Sequence, residues 1–282
     1  MEHNNSDIEF THSLTSEEDR LIRQKMSEWH LHVGEVGSGW EHGSNLDPEP
    51  RGNTAVLMIA YNESRLYDFL LGLSQELKVP IYCFCDGTKP SSMEGYAKAR
   101  TIQDVYVLDS GAERKGYSKA MRDALCWMFN YTKYTNVFIT DSDDSYSHND
   151  IKVILDMPDT NISGARYNRI STEPLFRRGY IKCEGVLMRI LFRIKMQDYT
   201  AVCRKLDLVD TGRVAYKMKY SPRSFWLEFD ARWKHQGYKP HWELPVKYHG
   251  HPSKIYSPKS MPKIILSEFW ALIKTRWEFI WH

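Results

Sequence analysis

The chain has 282 residues, 42% of them apolar, and a formal net charge of +2 at pH 7. This length allows one large domain with additions or two small domains, and the apolar content argues against disorder over most of the chain. The nearly balanced charge gives little support to bulk attraction to nucleic acid.

Two further properties of the sequence predict a cytoplasmic protein. The five cysteines are scattered at spacings that fit neither a disulfide framework nor a zinc site, which favours a reducing compartment, and we interpret Cys83 and Cys85 in their apolar run as buried thiols. The polar N-terminus does not resemble a secretory signal, and no apolar run approaches the roughly 20 residues of a spanning helix. We expect a soluble protein, or one that is peripheral on the cytoplasmic membrane face.

Residues 1–52 are predicted to form an N-terminal helical appendage and a linker. A helix begins near Thr15, where hydroxyl and carboxylate side chains suit a helix N-terminus, and continues to about Trp29. The stretch from Gly34 to Gly52 is rich in Gly, Asn and Pro, which is typical of a linker.

From Thr54 onward, apolar strands alternate with helical patterns. The predicted elements are a strand at 55–60, a helix at 64–77, a strand at 79–85, a helix at 91–100, a strand at 105–108, a helix at 117–131 and a strand at 136–140. This alternation predicts an α/β fold with a mostly parallel central sheet flanked by helices. In such sheets ligands bind beyond the carboxyl ends of the strands.

Polar clusters follow three of these strands. They are Tyr61-Asn62-Glu63, Asp86-Gly87 and Asp141-Ser142-Asp143. Because all three fall at predicted carboxyl ends, they indicate one ligand site at one edge of the sheet.

The densest cluster is acidic, with Asp141, Asp143 and Asp144 within four residues. Such carboxylates repel one another unless a cation or water relieves them, and hard oxygen ligands suit Mg²⁺ or Mn²⁺, which also bridge phosphate oxygens. The alternative is a solvated acidic turn in which Asp144 or Ser145 caps the next helix. The position at a strand end favours the metal site.

Taken in order, these motifs resemble glycosyltransferase family 2. The resemblance runs from about Thr54 to Trp277 and is greatest to polyprenyl-phosphate sugar synthases such as dolichyl-phosphate mannose synthase. The motifs that carry it are Ala60-Tyr61-Asn62-Glu63, Cys85-Asp86-Gly87-Thr88, the segment 115–120, Asp141-Ser142-Asp143, Gly164-Ala165-Arg166-Tyr167, the segment 175–178, Asp198-Tyr199-Thr200 and the segment 244–254.

The resemblance implies a GT-A (Rossmann-like) glycosyltransferase domain over residues 53–258, with Mn²⁺ or Mg²⁺ as cofactor. The residues it implies for the nucleotide-diphosphate sugar are Ala60, Tyr61, Asn62, Glu63, Asp86, Lys115 and Asp141. Those for the metal are Asp141, Asp143 and Ser145. Asp143, Arg166 and Asp198 take catalytic roles, and the residues for the acceptor or a phosphate are Arg166, Arg169, Arg178, Ser253 and Lys254.

The sequence departs from the family pattern at several positions. Cys85 replaces the usual first Asp of Asp-Asp-Gly-Ser, and Ala60 replaces the Pro before Tyr-Asn-Glu. Asp144 is an additional acid, and Tyr199 and Ala201 stand in place of the family's Pro and Gly. The departures affect base recognition and the acceptor end of the site.

Asp198 has two candidate roles, which depend on the acceptor. A hydroxyl acceptor needs a base to take its proton, and a carboxylate suits that role. A phosphate acceptor is already an anion, so arginines such as Arg166 and Arg169 must hold it instead. A third reading is that Asp198 bonds a backbone turn.

The expected function is inverting transfer of a sugar from a nucleotide-diphosphate sugar to polyprenyl phosphate. One alternative is the same chemistry on a hydroxyl acceptor, namely a polysaccharide, a protein or a hydroxylated base in nucleic acid. Another is a nucleotide-sugar-binding module without transfer activity. Residues 259–282 are predicted to form an amphipathic helix that contacts a membrane, packs on the domain or forms a dimer.

Overall fold

The computed structural model of the chain describes residues 53–63, 65–87, 89–110, 114–143, 145–166, 175–219, 225–249 and 261–281. The predicted helix near residues 15–29 and its linker lie outside these ranges, as do Asp144, Arg169, Ser253 and Lys254. Arg178 lies in a described helix, but its side chain is outside the described part.

The described residues form one seven-stranded sheet with helices packed around it. The strands are β1 Thr54–Ala60, β2 Ile81–Cys85, β3 Val105–Asp109, β4 Asn136–Asp141, β5 Ile162–Arg166, β6 Arg204–Asp207 and β7 Trp242–Val246. The helices are α1 Leu66–Leu77, α2 Pro90–Ala99, α3 Tyr117–Tyr131, α4 His148–Asp156, α5 Leu175–Phe192, α6 Leu208–Lys217, α7 Phe225–His235 and α8 Met261–Trp281.

The strand order across the sheet is β3-β2-β1-β4-β6-β5-β7. The pairs β1–β2, β1–β4, β2–β3 and β5–β7 are parallel, whereas β6 runs antiparallel to both β4 and β5. The predicted α/β alternation and mostly parallel sheet are therefore confirmed.

The core of the molecule lies along the central strands and the helices that cover them. Residues 55–58 of β1 and every residue of β2 are buried, as expected for parallel strands covered on both faces. Helices α3 and α6 approach closely at Gly212, where a methyl group would lie 2.6 Å from the Phe129 ring.

A buried ion pair fixes the start of β6 to α7. The Arg204 guanidinium is 0% exposed and binds the Asp230 carboxylate at 2.5 and 3.1 Å. It also donates to the carbonyls of Ala201 and Tyr199 and stacks on Trp226 at 4.2 Å. A buried charge requires such complete pairing, because removing either partner leaves the other uncompensated.

The last helix, α8, packs one face on the domain. Leu272 joins an apolar cluster with Met188 and Phe192 of α5 and Leu227 of α7. Among the described residues, no helix combines the length and apolar content that crossing a bilayer requires.

Candidate functional site

The carboxyl ends of β1, β2 and β4 lie side by side at one edge of the sheet. Ile59 of β1 pairs with Asp141 of β4 in parallel register. The Asp86 amide donates to the Ala60 carbonyl at 2.8 Å, and the Ser142 hydroxyl donates to the Ile59 carbonyl at 3.0 Å. The residues that follow these three strands are therefore neighbours.

Asp86 is buried at this edge and holds the turn that enters α3. The Lys115 amide donates to its Oδ1 at 2.7 Å, and the Gly116 amide donates to its Oδ2 at 2.9 Å. Gly116 has a φ of +87°, a left-handed value that favours glycine. Both carboxylate oxygens of Asp86 therefore accept backbone amides, and the side chain fixes the start of α3.

The side chain of Lys115 forms an ion pair with α3, because its ammonium lies 3.3 Å from the carboxylate of Asp123 in that helix. Ala60 is buried at the end of β1, so its side chain is covered by protein and its carbonyl accepts the Asp86 amide. Ala60 therefore contributes to this edge of the sheet through its backbone carbonyl, which binds the residue after β2.

A cation stacks on an aromatic ring beside Asp86. The Arg114 guanidinium carbon lies 3.9 Å from the centroid of the Tyr61 ring, and its Nε lies 3.7 Å from Asp86. The Lys89 ammonium lies 5.5 Å from the same ring. Because Arg114 is 47% exposed, it can meet an anionic ligand at this edge. Arg114 is not among the residues predicted for the site, although it directly precedes the predicted residue Lys115.

Asn62 and Glu63 form the turn between β1 and α1. Asn62 is exposed and has a φ of +51°, a conformation that Asn tolerates better than most residues. The Glu63 carboxylate accepts the Arg65 amide at 3.3 Å. The turn thus presents polar side chains at the end of β1.

Asp141, Asp143 and Ser145 form an acidic turn at the end of β4. The carboxylate of Asp143 accepts the Ser145 amide at 3.2 Å and also accepts the Ser145 hydroxyl. The cap of the next helix is Ser147, whose hydroxyl accepts the Asp150 amide at 3.1 Å. Ser145 is therefore not the cap of this helix, and its hydroxyl binds Asp143 instead.

The surroundings of Asp141 disfavour the charged form of its carboxylate. Burial, and next the carboxylate of Asp143, raise the pKa of Asp141 to about 7, whereas the Arg166 guanidinium acts in the opposite direction. Asp143 is exposed. A cation placed at the turn would relieve this repulsion.

The donor set of the acidic turn fits a hard divalent cation. Carboxylate and hydroxyl oxygens are the ligands that Mg²⁺ and Mn²⁺ prefer. Within the described ranges, no group of three or more His, Cys, Asp or Glu side chains closes around a metal. The described residues therefore supply only part of a metal's coordination shell. The remaining oxygen atoms would come from a bound diphosphate or from water.

Arg166, at the end of β5, forms a buried pair with Asp198. Its Nε lies 2.5 Å from Asp198 Oδ2, and its Nη2 lies 2.8 Å from Oδ1 and 2.9 Å from the Thr200 hydroxyl. The Arg166 amide also donates to Asp198 at 3.3 Å. This two-pronged geometry fixes the guanidinium plane.

Two tyrosines connect this pair to the acidic turn. The Arg166 guanidinium carbon lies 5.0 Å from the centroid of the Tyr248 ring, and that ring lies 5.8 Å from the ring of Tyr146. Tyr146 follows Ser145 directly, and its hydroxyl accepts the Val202 amide at 3.2 Å. The acidic turn and Arg166 therefore belong to one wall of the site.

Glu243 on β7 supports the Asp198 loop from behind. Its carboxylate accepts the Gln197 amide at 2.8 and 2.9 Å and the Asp198 amide at 3.1 Å. Glu243, Tyr146 and Tyr248 are not among the predicted site residues, because their roles depend on contacts between residues far apart in the chain.

The comparisons with known proteins agree with this geometry at the level of the fold. No protein-family model matches the chain, and no curated protein matches it. Glucosyl-3-phosphoglycerate synthase from Mycobacterium tuberculosis, solved with Mn²⁺, UDP and glucosyl-3-phosphoglycerate, is 12% identical, with a TM-score of 0.53. The match covers 86% of this chain and 83% of that one.

A second match is the mannosyltransferase PcManGT from Pyrobaculum calidifontis, solved with GDP-Man and Mn²⁺. It is 14% identical, with a TM-score of 0.47, and the match covers 92% of this chain and 85% of that one. The likeness to the mycobacterial synthase shows that this chain has the GT-A fold.

Proposed function

We propose that the chain is a metal-dependent inverting glycosyltransferase that moves a sugar from a nucleotide-diphosphate sugar to polyprenyl phosphate. One observation carries the proposal: the acidic turn Asp141–Ser145 lies at the same sheet edge as Tyr61 and Asp86, and its wall continues to Arg166. Carboxylates, an aromatic ring with two cations beside it and a buried arginine together suit a sugar donor that contains a diphosphate.

In this proposal Asp141, Asp143 and Ser145 hold Mn²⁺ or Mg²⁺. A divalent cation held there would supply neutralisation of the negative charge left on the diphosphate when its bond to the sugar breaks. Tyr61, Asn62, Glu63 and Asp86 line the nucleotide side, with Arg114 and Lys115 next to them. The mycobacterial synthase that shares the fold was also solved with Mn²⁺ and UDP-glucose, the class of donor proposed for this chain.

The contacts of Asp198 support a phosphate as the acceptor. Both of its carboxylate oxygens bind Arg166, and Asp198 is 3% exposed. A general base has to reach the proton that it removes, and an occupied, buried carboxylate is poorly placed to do so. An acceptor that needs no base is a phosphate, which favours polyprenyl phosphate over a hydroxyl acceptor.

In this proposal Arg166 binds a phosphate, and Asp198 holds the Arg166 guanidinium in position. Asp198 and Thr200 bind Nε and Nη2 of Arg166, and we assign Nη1 to a phosphate oxygen of the donor or the acceptor. Arg169, Arg178, Ser253 and Lys254 remain proposals for the acceptor side.

A donor screen tests the proposal. The full chain is incubated with a panel of UDP-, GDP-, ADP-, CDP- and TDP-sugars and Mn²⁺, and the released nucleotide is quantified with and without EDTA. We expect hydrolysis of at least one donor, and we expect EDTA to abolish it. Donor hydrolysis that is unaffected by EDTA, or no turnover and no binding of any donor, would contradict the proposal.

A further inference from the structure

The outer face of α8 is apolar and aromatic. Buried positions such as Ile264, Ala271, Leu272 and Thr275 lie on one side of the helix and pack on the domain. The opposite side carries seven large apolar side chains that are 37% to 67% exposed: Ile265, Leu266, Phe269, Trp270, Trp277, Ile280 and Trp281. Contiguous exposed apolar surface of this kind marks an interaction site.

Successive residues of an α-helix are rotated by about 100°, which gives the positions of the charges around α8. Leu266, Trp270 and Trp277 fall at the centre of the outer face. The exposed cations lie at its two edges, with Lys263 and Lys274 on one side and Arg276 on the other. An apolar centre between basic edges is the pattern of a helix that lies in a membrane interface.

Neither acid of α8 offsets the cations of this face. Its sequence contains two acids, Glu268 and Glu278. Glu268 is 4% exposed. Glu278 binds the Lys219 ammonium at 2.9 Å and Arg232 Nη2 at 3.0 Å. Glu278 borders the outer face but is paired with two cations, so the face keeps an excess of positive charge that complements an anionic surface.

The neighbouring helix α5, which packs against α8, repeats the pattern independently. Val186 and Ile190 are 51% and 72% exposed, and Lys182 and Arg189 are exposed beside them. The single acid of its sequence, Glu184, is 4% exposed. Two adjacent helices thus present apolar side chains and cations outward, while their acids are buried or paired with cations.

We propose that the outer faces of α8 and α5 bind the surface of a lipid bilayer that contains anionic headgroups. Trp270, Trp277 and Trp281 insert at headgroup level, where an indole ring has both an apolar and a polar neighbour. Lys263, Lys274 and Arg276 bind the headgroups and make the contact sensitive to salt. This inference does not rest on the proposed transferase activity, because vesicle binding is measured without a sugar donor.

Vesicle flotation of the full chain tests the proposal. One set of vesicles is pure phosphatidylcholine, and the other contains 30 mol% phosphatidylglycerol, a chosen composition. The test variant is the double substitution Trp270→Ser and Trp277→Ser. The matched control is Trp242→Ser with Tyr131→Ser, which removes two aromatic side chains that are 70% and 48% exposed on β7 and α3.

We expect the unchanged chain and the control to float with the anionic vesicles and to be released by 0.5 M NaCl. The Trp270/Trp277 variant should bind at least roughly tenfold more weakly, since binding scales with the buried apolar area. All four side chains are exposed, so melting curves should show folded proteins. Equal binding by both variants, or no binding by the unchanged chain, would overturn the proposal.

The competing occupant is a second copy of the chain, and light scattering distinguishes it. A dimer that the Trp270/Trp277 variant dissociates, together with no flotation of the unchanged chain, would assign the face to self-association and overturn membrane binding. A monomer that floats supports the proposal. Replacing Lys263, Lys274 and Arg276 with Gln should remove the preference for anionic vesicles while the protein stays folded.

Discussion

Asp143 is the exposed carboxylate of the acidic turn and the residue most directly tied to the proposed metal. We expect Asp143→Asn to lower Mn²⁺-dependent donor hydrolysis by roughly 10²-fold or more, because it removes a charged ligand where the leaving group develops charge. The melting temperature should stay within a few degrees of the unchanged chain, since the side chain is exposed.

Asp159→Asn is the matched control for this prediction. Asp159 is an exposed aspartate between α4 and β5, and its substitution removes one negative charge without touching the acidic turn. Steady-state rates of nucleotide release measure both variants. Equal rates for Asp143→Asn and Asp159→Asn would show that Asp143 is not part of the active site.

The pairing of Arg166 with Asp198 predicts that Asp198 positions the arginine and does not remove a proton. We expect Asp198→Asn and Arg166→Lys to lower transfer by similar factors, because each disrupts the same two-pronged contact. The pH–rate profile of Asp198→Asn should keep the shape of the unchanged enzyme.

A base would give a different result. Removal of a general base typically costs about 10²–10⁴ in rate and also removes the acidic limb of the pH profile. Loss of that limb in Asp198→Asn, with Arg166→Lys close to normal, would assign Asp198 the role of base and favour a hydroxyl acceptor.

At the scale of elements, the contact between α3 and α6 requires a glycine. Gly212→Ala places a methyl group 2.6 Å from the Phe129 ring, so it should lower the free energy of unfolding by about 1–3 kcal/mol. Gly95→Ala, on α2, meets no atom within 4 Å and should raise stability by roughly 0.5–1 kcal/mol. Urea denaturation measures the change in unfolding free energy for both variants. Changes of the same sign would contradict the close contact between Gly212 and Phe129.

Helix α8 contains a buried acid that makes stability depend on pH. Burial raises the pKa of Glu268 from 4.5 to about 8. The folded state then keeps a proton that the unfolded state releases, so the contribution of Glu268 to stability is complete below pH 4.5 and is lost as pH rises toward 8.

Glu268→Gln should remove this contribution. Relative to the unchanged chain, we expect the variant to gain unfolding free energy progressively between about pH 5 and pH 8, because Gln stays neutral. Urea unfolding at a series of pH values measures the difference between the two proteins. A difference that is independent of pH would show that Glu268 has an ordinary pKa.

The elements themselves were largely predictable because their signals are local. The helix predicted at 117–131 matches α3, and the strands β1 to β4 begin and end within about two residues of their predictions. β2 begins at Ile81 and not at Val79. Pro80 precedes it and has no N–H to donate to a neighbouring strand.

At the scale of the whole molecule, much of the site depends on pairing that sequence patterns do not reveal. The antiparallel strand β6 lies between β4 and β5, and this order brings Asp198 next to Arg166, 32 residues away. Local patterns report burial and periodicity, and they do not report which distant strand becomes the neighbour.

For the same reason, the only role that the sequence predicts for Asp86 is in the donor pocket. Its carboxylate also anchors the turn at Lys115 and Gly116. The division into an appendage at 1–52, a transferase domain at 53–258 and a terminal helix at 259–282 is a prediction based on sequence patterns. The contacts of α8 with α5 and α7 extend the core of the domain into that terminal segment.

The most direct test of the account is detection of the transferred sugar. The full chain is incubated with its best donor, Mn²⁺ and either polyprenyl phosphate or the matching unphosphorylated polyprenol, and the lipid products are identified by mass spectrometry. We predict a sugar added to polyprenyl phosphate by the unchanged chain, none added to the polyprenol, and none in the reaction with Asp143→Asn. A glycosylated polyprenol, or an undiminished product from Asp143→Asn, would contradict the account.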